Sequence, residues 1–193
     1  MSVKTEIPIA LAGLFALSAC ADFGVVVTST GYVQQYEPAE VSAAGGGERQ
    51  LQLTVLGTPF DAPREAVETA VIAIMQSTPT GVPVNYAISP TNSDPQRPYH
   101  VVVAFNPAGI RNPAALCSDR ADVEYADPKN GTTTLMGALC SSDSFLSHAQ
   151  ARSQGVDGLN SAQFDTLVSQ LTLALLPSRN PHYQDDGVRL LNN

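Results

Sequence analysis

Hydrophobic positions change period along this chain, and the changes mark its elements. Leu51, Leu53 and Val55 alternate with Gln50, Gln52 and Thr54, the period of two that makes 49–57 a half-buried strand. Val67, Ala70, Val71, Ile74 and Met75 then recur at i, i+3, i+4, i+7 and i+8, one apolar stripe along a helix. Asp61 is placed to cap that helix, Pro63 suits its first turn, and Pro79 with Gly81 close it. A strand is expected over 82–89 and a proline-rich loop after it. The unbroken apolar run in Tyr99–Pro107 predicts a central strand, covered on both faces. Phe164, Leu167, Val168, Leu171 and Leu175 form a second helical stripe within 160–177, with Asn160 or Ser161 as cap and Pro177 as stop.

Between these lie two β-prone runs, 121–126 and 132–140, on either side of Asn130-Gly131, a strong hairpin signal. Residues 144–153 are expected to continue that meander as a further strand. The order is strand, helix, strand, strand, hairpin, helix. It predicts an α+β fold: a two-layer sandwich with a mostly antiparallel sheet of about five strands and two helices on one face. The domain is placed at 49–177. Residues 20–48 are expected to be a tether, because Ser42–Glu48 has linker composition, although the β-prone 24–38 has the makings of an edge strand. Residues 178–193 are expected to form a loose tail.

Composition narrows the class. The 193 residues suit one domain with tails, and 44% hydrophobic against 15% charged residues is a globular balance. The net charge of −8 comes with no basic run, and Lys129 is the one lysine beyond Lys4. Such a chain repels nucleic acid and has no cluster to hold anionic headgroups. No apolar stretch reaches the ~18–20 residues a spanning helix needs.

The N-terminus carries a more specific signal. Lys4, an apolar core and then small residues make 1–19 a signal peptide. Leu17-Ser18-Ala19-Cys20 resembles the lipobox of bacterial lipoproteins, in which small residues admit the extended chain to a narrow protease site and the cysteine thiolate takes the lipid. The resemblance implies cleavage before Cys20, lipid on its sulfur and an acyl group on the new amine. It implies a membrane partner through Cys20, since each buried methylene contributes roughly 0.8 kcal/mol and two or three chains hold permanently. In enteric bacteria an Asp directly after the cysteine favours the inner membrane; Ala21 stands there and Asp22 follows, so the resemblance implies the periplasmic side of the outer membrane.

Cys117 and Cys140 remain, an even pair for an oxidising compartment. With Ala126 opposite Thr132 in the expected hairpin, Cys117 falls almost opposite Cys140, and a disulfide is predicted. No Cys-x-x-Cys, metal-spaced histidines, Gly-x-Ser-x-Gly elbow, phosphate loop or calcium loop is present. His100, His148 and His182 are dispersed, and the acid pairs Asp119/Asp122 and Asp185-Asp186 have no argued burial. No metal, cofactor or enzymatic activity is expected. Tyr32 and Tyr36, on the β-prone stretch, are the candidate interaction residues. The expectation is a non-catalytic envelope lipoprotein that contacts another envelope protein in a structural or assembly role. The alternative is a lipoprotein that holds a small apolar molecule between sheet and helices. Neither reading sets an oligomeric state.

Overall fold

The computed structural model describes residues 24–118, 124–126 and 130–183. The fold is α+β. Six strands form a mixed sheet in the order β1-β8-β7-β4-β2-β3: β1 Val26–Tyr32, β2 Leu51–Leu56, β3 Tyr86–Ala87, β4 Tyr99–Phe105, β7 Thr132–Ser141 and β8 Ser144–Gln154. β5 Pro107–Ala108 and β6 Glu124–Tyr125 pair in a separate two-stranded ribbon. Strand β2 runs parallel to β3 and β4, because α2, Arg64–Ser77, carries the chain back across the sheet. The pairs β4–β7, β7–β8 and β1–β8 are antiparallel.

The sequence patterns map onto one core. Inward residues Leu53, Val55, Val101, Val103, Phe105, Leu135 and Leu139 meet Val67, Val71 and Met75 of α2. They also meet Phe164, Leu167, Val168, Leu171 and Leu175 of α3, Ala162–Leu175. Phe105 stacks on Phe164 with ring centroids 5.8 Å apart. β4 is the central strand its composition predicts, buried on both faces from Val101 to Phe105. Ser161 caps α3 by accepting the Phe164 N–H at 3.2 Å. Asp61 does not cap α2; the capping position is Pro63, which makes no side-chain cap.

Four expectations are corrected. The first is the tether. Strand β1 and helix α1, Pro38–Gly45, belong to the body of the domain, and Tyr36, Val41 and Ala44 are fully buried. Linker composition misled because Ala and Gly at 43–45 serve close packing: a Cβ on Gly45 would lie 2.6 Å from Leu51. Among the described residues the main sheet then has six strands, with three α-helices.

The second is the hairpin. Asn130 and Gly131 are both left-handed, at φ 53° and 70°, so the local turn chemistry holds. The expected partner does not, because Glu124–Tyr125 pairs with Pro107–Ala108 while β7 pairs with β8. Residues 119–123 and 127–129 of that stretch lie outside the described residues. The β7–β8 connection is the two-residue turn Ser142-Asp143, with Ser142 at φ 51°. The third is 82–89, of which two residues, Tyr86 and Ala87, pair. The fourth is the start of the tail: Asn180 is buried, and 184–193 lie outside the described residues.

Gly137 on β7 sets how closely α3 approaches. A Cβ there would stand 2.8 Å from Leu175 Cδ1 and 3.0 Å from Leu171 Cδ2. Gly137→Ala forces α3 outward and is expected to lower stability by about 1–3 kcal/mol, with Gly137→Val lowering it further. Chemical denaturation of the two variants against wild type checks the order.

Candidate functional site

The two faces of the sheet differ, and the difference locates the chemistry. The front is covered by the three helices. The back is half covered, by the chain between β4 and β7. There Leu116 and Cys117, in the 3₁₀ turn Pro113–Cys117, pack on Val102, Ala104, Met136, Ala138 and Cys140. Asn112 starts the turn by accepting the Ala114 N–H at 3.0 Å. The Cys117–Cys140 disulfide, with Cα atoms 5.6 Å apart, fixes the turn to the sheet. The expected pair is joined, but not across a hairpin: Cys117 comes from a helical turn lying over the sheet.

Asn106 holds the first residue of this cover in a left-handed conformation, φ 45°. Its N–H donates to Thr134 O, its Oδ1 accepts the Thr134 N–H, and its carbonyl accepts the Ala126 N–H, at 2.8, 2.8 and 3.0 Å. An open cavity of about 440 Å³ lies beside it, lined by Asn106, Ile110, Thr132, Thr134, Met136 and Arg152.

Further along the back face, the His148 ring lies against Phe145 at 5.1 Å and over Gly31, where a Cβ would fall 2.2 Å from Nε2. Its Nδ1 has no hydrogen-bond partner among the described residues, and the residue is 9% exposed. Burial pushes its pKa below the ordinary 6.5. With the Gln150 amide turned so that its oxygen faces Arg152, that oxygen accepts from Nε and Nη2 at 3.0 and 2.9 Å.

A second polar group sits at the opposite end of the sheet. Asp94 Oδ2 lies 3.1 Å from Arg49 Nη1 and 2.9 Å from Arg97 Nη1, and Arg97 also pairs with Glu40 of α1 at 2.5 Å. The Gln96 N–H and the Arg97 guanidinium hold the Asp94 carboxyl below the usual carboxylate range. A cleft of about 310 Å³ here is lined by Gln50, Gln52, Asp94, Tyr99, His100 and Asp143. The sequence marked a proline-rich loop here; the convergence of Arg49, Arg97 and Glu40 on it was not visible in one dimension.

Tyr36 lies inside the fold, and Tyr32 is half-buried. Tyr36 is 0% exposed, and its hydroxyl donates to Pro177 O at 2.8 Å. The Tyr32 hydroxyl donates to Ala174 O at 2.6 Å. A β-prone segment looks exposed in sequence; here the Tyr36 ring is buried and the Tyr32 ring half-buried near the end of α3. His100 and His148 share the back face on strands either side of β7, and His182 lies in the turn Pro181–Tyr183. Among the described residues no group of three His, Cys, Asp or Glu side chains could hold a metal ion. Ser141–Ser144 make the hairpin turn. Cys20, Asp119, Asp122, Asp185 and Asp186 lie outside the described residues.

No family model matches the chain, and no curated protein matches it. Among solved structures it is similar to the PelC dodecamer of Paraburkholderia phytofirmans in space group P6, with TM-score 0.43 and 10% identity over 80% of this chain and 99% of that one. A single-residue variant of that dodecamer in space group C2 gives TM-score 0.42 and 10% identity over 81% and 100%. At that level neither likeness assigns a family or an activity.

Two outcomes follow from the back face. Replacing Cys117 and Cys140 together by Ala is expected to cost roughly 3 kcal/mol, the loop-closure value for a separation of 23 residues. Denaturant titration with and without reductant checks it, and reductant should not affect the double variant. The depressed His148 pKa means that the unfolded chain takes up its proton first as pH falls. This contribution to stability is complete above about pH 6.5 and is lost as pH drops from there through the folded pKa. Thermal midpoints measured between pH 7.5 and 5 should fall less steeply in His148→Gln than in wild type. The Asp94 carboxyl does not interfere, since it titrates below the ordinary 3.8.

Proposed function

We propose that this chain is a lipid-anchored envelope protein with a non-catalytic role in contacting another envelope protein, attached through Cys20 on the periplasmic side of the outer membrane. The observation that carries the reading is the Cys117–Cys140 disulfide, with both cysteines at 1% exposure or less. A disulfide built into the packing of a sheet belongs to a chain that matures in an oxidising compartment. The Leu17-Ser18-Ala19-Cys20 sequence supplies the matching address.

The inward packing also favours contact over capture. Between sheet and helices stand Leu53, Phe105, Leu135, Phe164, Leu167 and Leu171, all 0–1% exposed, so the middle of that layer is filled by side chains. The cavities of about 310–440 Å³ described above open at the rim and on the back face. A small apolar ligand between the layers finds no support in this packing.

Because β1 begins at Val26, six residues past Cys20, the connection is short. Six extended residues span at most about 20 Å, so the domain would ride close to the membrane surface. Intact-mass analysis of the natural product tests the anchor: a chain starting at Cys20 with acyl additions is expected. Cys20→Ala should leave the membrane fraction, with its disulfide retained. A mature chain without any acyl increment would end this reading.

A further inference from the structure

The sheet has two edges, and the chain treats them differently. β3 is two residues long, flanked by Pro83 and Pro90, and Asn85 beside it donates its N–H to Gly45 O at 2.7 Å. Short strands, prolines and a covering segment are the usual means of closing an edge. β1 has seven residues, and the whole stretch 24–36 contains no charged residue and no proline. Val26, at its start, is 57% exposed. A bulge between Val27 and Ser29 bends its first residues and leaves the stretch from Ser29 straight.

Which backbone groups face outward follows from the register. The Val33 N–H donates to Leu146 O at 3.0 Å, and the pairs Tyr32↔Ser147, Gly31↔His148 and Thr30↔Ala149 follow in order. Inward and outward groups alternate along an antiparallel strand, so the N–H and C=O of Thr30 and Tyr32 point away from β8. Among the described residues nothing pairs with them.

We propose that this edge is the docking surface for a second copy of the chain, β1 against β1 in antiparallel pairing about a two-fold axis through Gly31. That axis sets Thr30 opposite Tyr32 of the other copy, twice by symmetry, and forms about four hydrogen bonds between chains. A β-branched residue facing an aromatic one is a favourable cross-strand pair. The register uses the straight part of the strand and avoids the bulge. The absence of charge over 24–36 removes local repulsion between two copies of a net-negative protein and offers nothing for a charged foreign strand to recognise. Since the β3 edge is closed, the pairing is isologous and stops at two. The inference does not rest on the lipid anchor.

The test is native mass spectrometry of the full-length protein released from detergent, with amide hydrogen exchange read at Thr30 and Tyr32. Wild type should be a dimer with both amides protected. Thr30→Pro removes an outward donor without touching the bonds to β8, and Thr30→Lys keeps the donor but sets a charge opposite the partner's ring. Each substitution is present twice in the symmetric dimer and should weaken it by roughly tenfold or more while circular dichroism is unchanged, the size of two hydrogen bonds or two cross-strand pairs. If Thr30→Pro fails to fold, Thr30→Lys carries the test. A monomeric wild type with freely exchanging amides overturns the proposal, as does a dimer indifferent to both substitutions or an assembly larger than two. A monomer whose Thr30 and Tyr32 amides lose protection on truncation after Tyr183 also overturns it, and identifies residues 184–193 as the occupant.

Discussion

The last turn of α3 is where this fold is tied together. A helix ends with carbonyls that no residue of its own can satisfy. In this chain three of those around the end of α3 are met by hydroxyls from elsewhere: Ala174 O by Tyr32, Leu175 O by Ser147 and Pro177 O by Tyr36. Asn180 returns the favour a few residues on, its amide donating to Val33 O at 3.0 Å and Tyr36 O at 2.9 Å. The bonds link β1, the turn after it, β8 and the C-terminal segment. They require α3 to lie close to the sheet, which Gly137 permits. Removing any hydroxyl would strand a shielded carbonyl, so the corner is held by desolvation cost as much as by bond strength.

That corner explains why the segment before residue 49 is part of the domain. β1 alone would be a polar, hydroxyl-rich edge strand with little to bury. Tyr32 and Tyr36, their centroids 6.0 Å apart, supply both apolar area and the donors that α3 lacks. Helix α1 is fixed a second way, through Glu40 to Arg97 and Arg97 to Asp94, and through Arg49 Nη1 to Ala43 O at 2.6 Å. The back face is organised by different means. Among the described residues its cover is the 3₁₀ turn Pro113–Cys117 with its disulfide, which shields Val102, Ala104 and Ala138.

Legibility in the sequence followed periodicity. The stripes of α2 and α3, the alternation of β2 and the double burial of β4 are one-dimensional records of local geometry, and the structure agrees with them. What was not legible depended on partners distant in sequence. Asn130-Gly131 specifies its own backbone but not which strand lies beside it. Ser142-Asp143 turns the true hairpin with a left-handed serine, a conformation its residue type rarely signals. Cys117 and Cys140 were paired from a register that does not exist; two cysteines in one oxidised chain bond whichever path brings them together. Tyr36 looked like surface because the carbonyl it serves lies 141 residues away.

These features converge on the β1 side of the sheet. Evolution commonly protects a strand edge with charge or proline. Here the residues flanking the edge are committed inward, Tyr32 and Tyr36 to α3 and Gly31 to the His148 ring, so their side chains cannot serve as guards. A lysine at 31 would collide with His148, and a charge at 36 would be buried without a partner. Val26, Thr28 and Thr30 are the exposed positions of β1, and none of them carries a charge. An edge that no described residue covers, where protection is sterically available, is better explained by use than by constraint, and the use it fits is pairing.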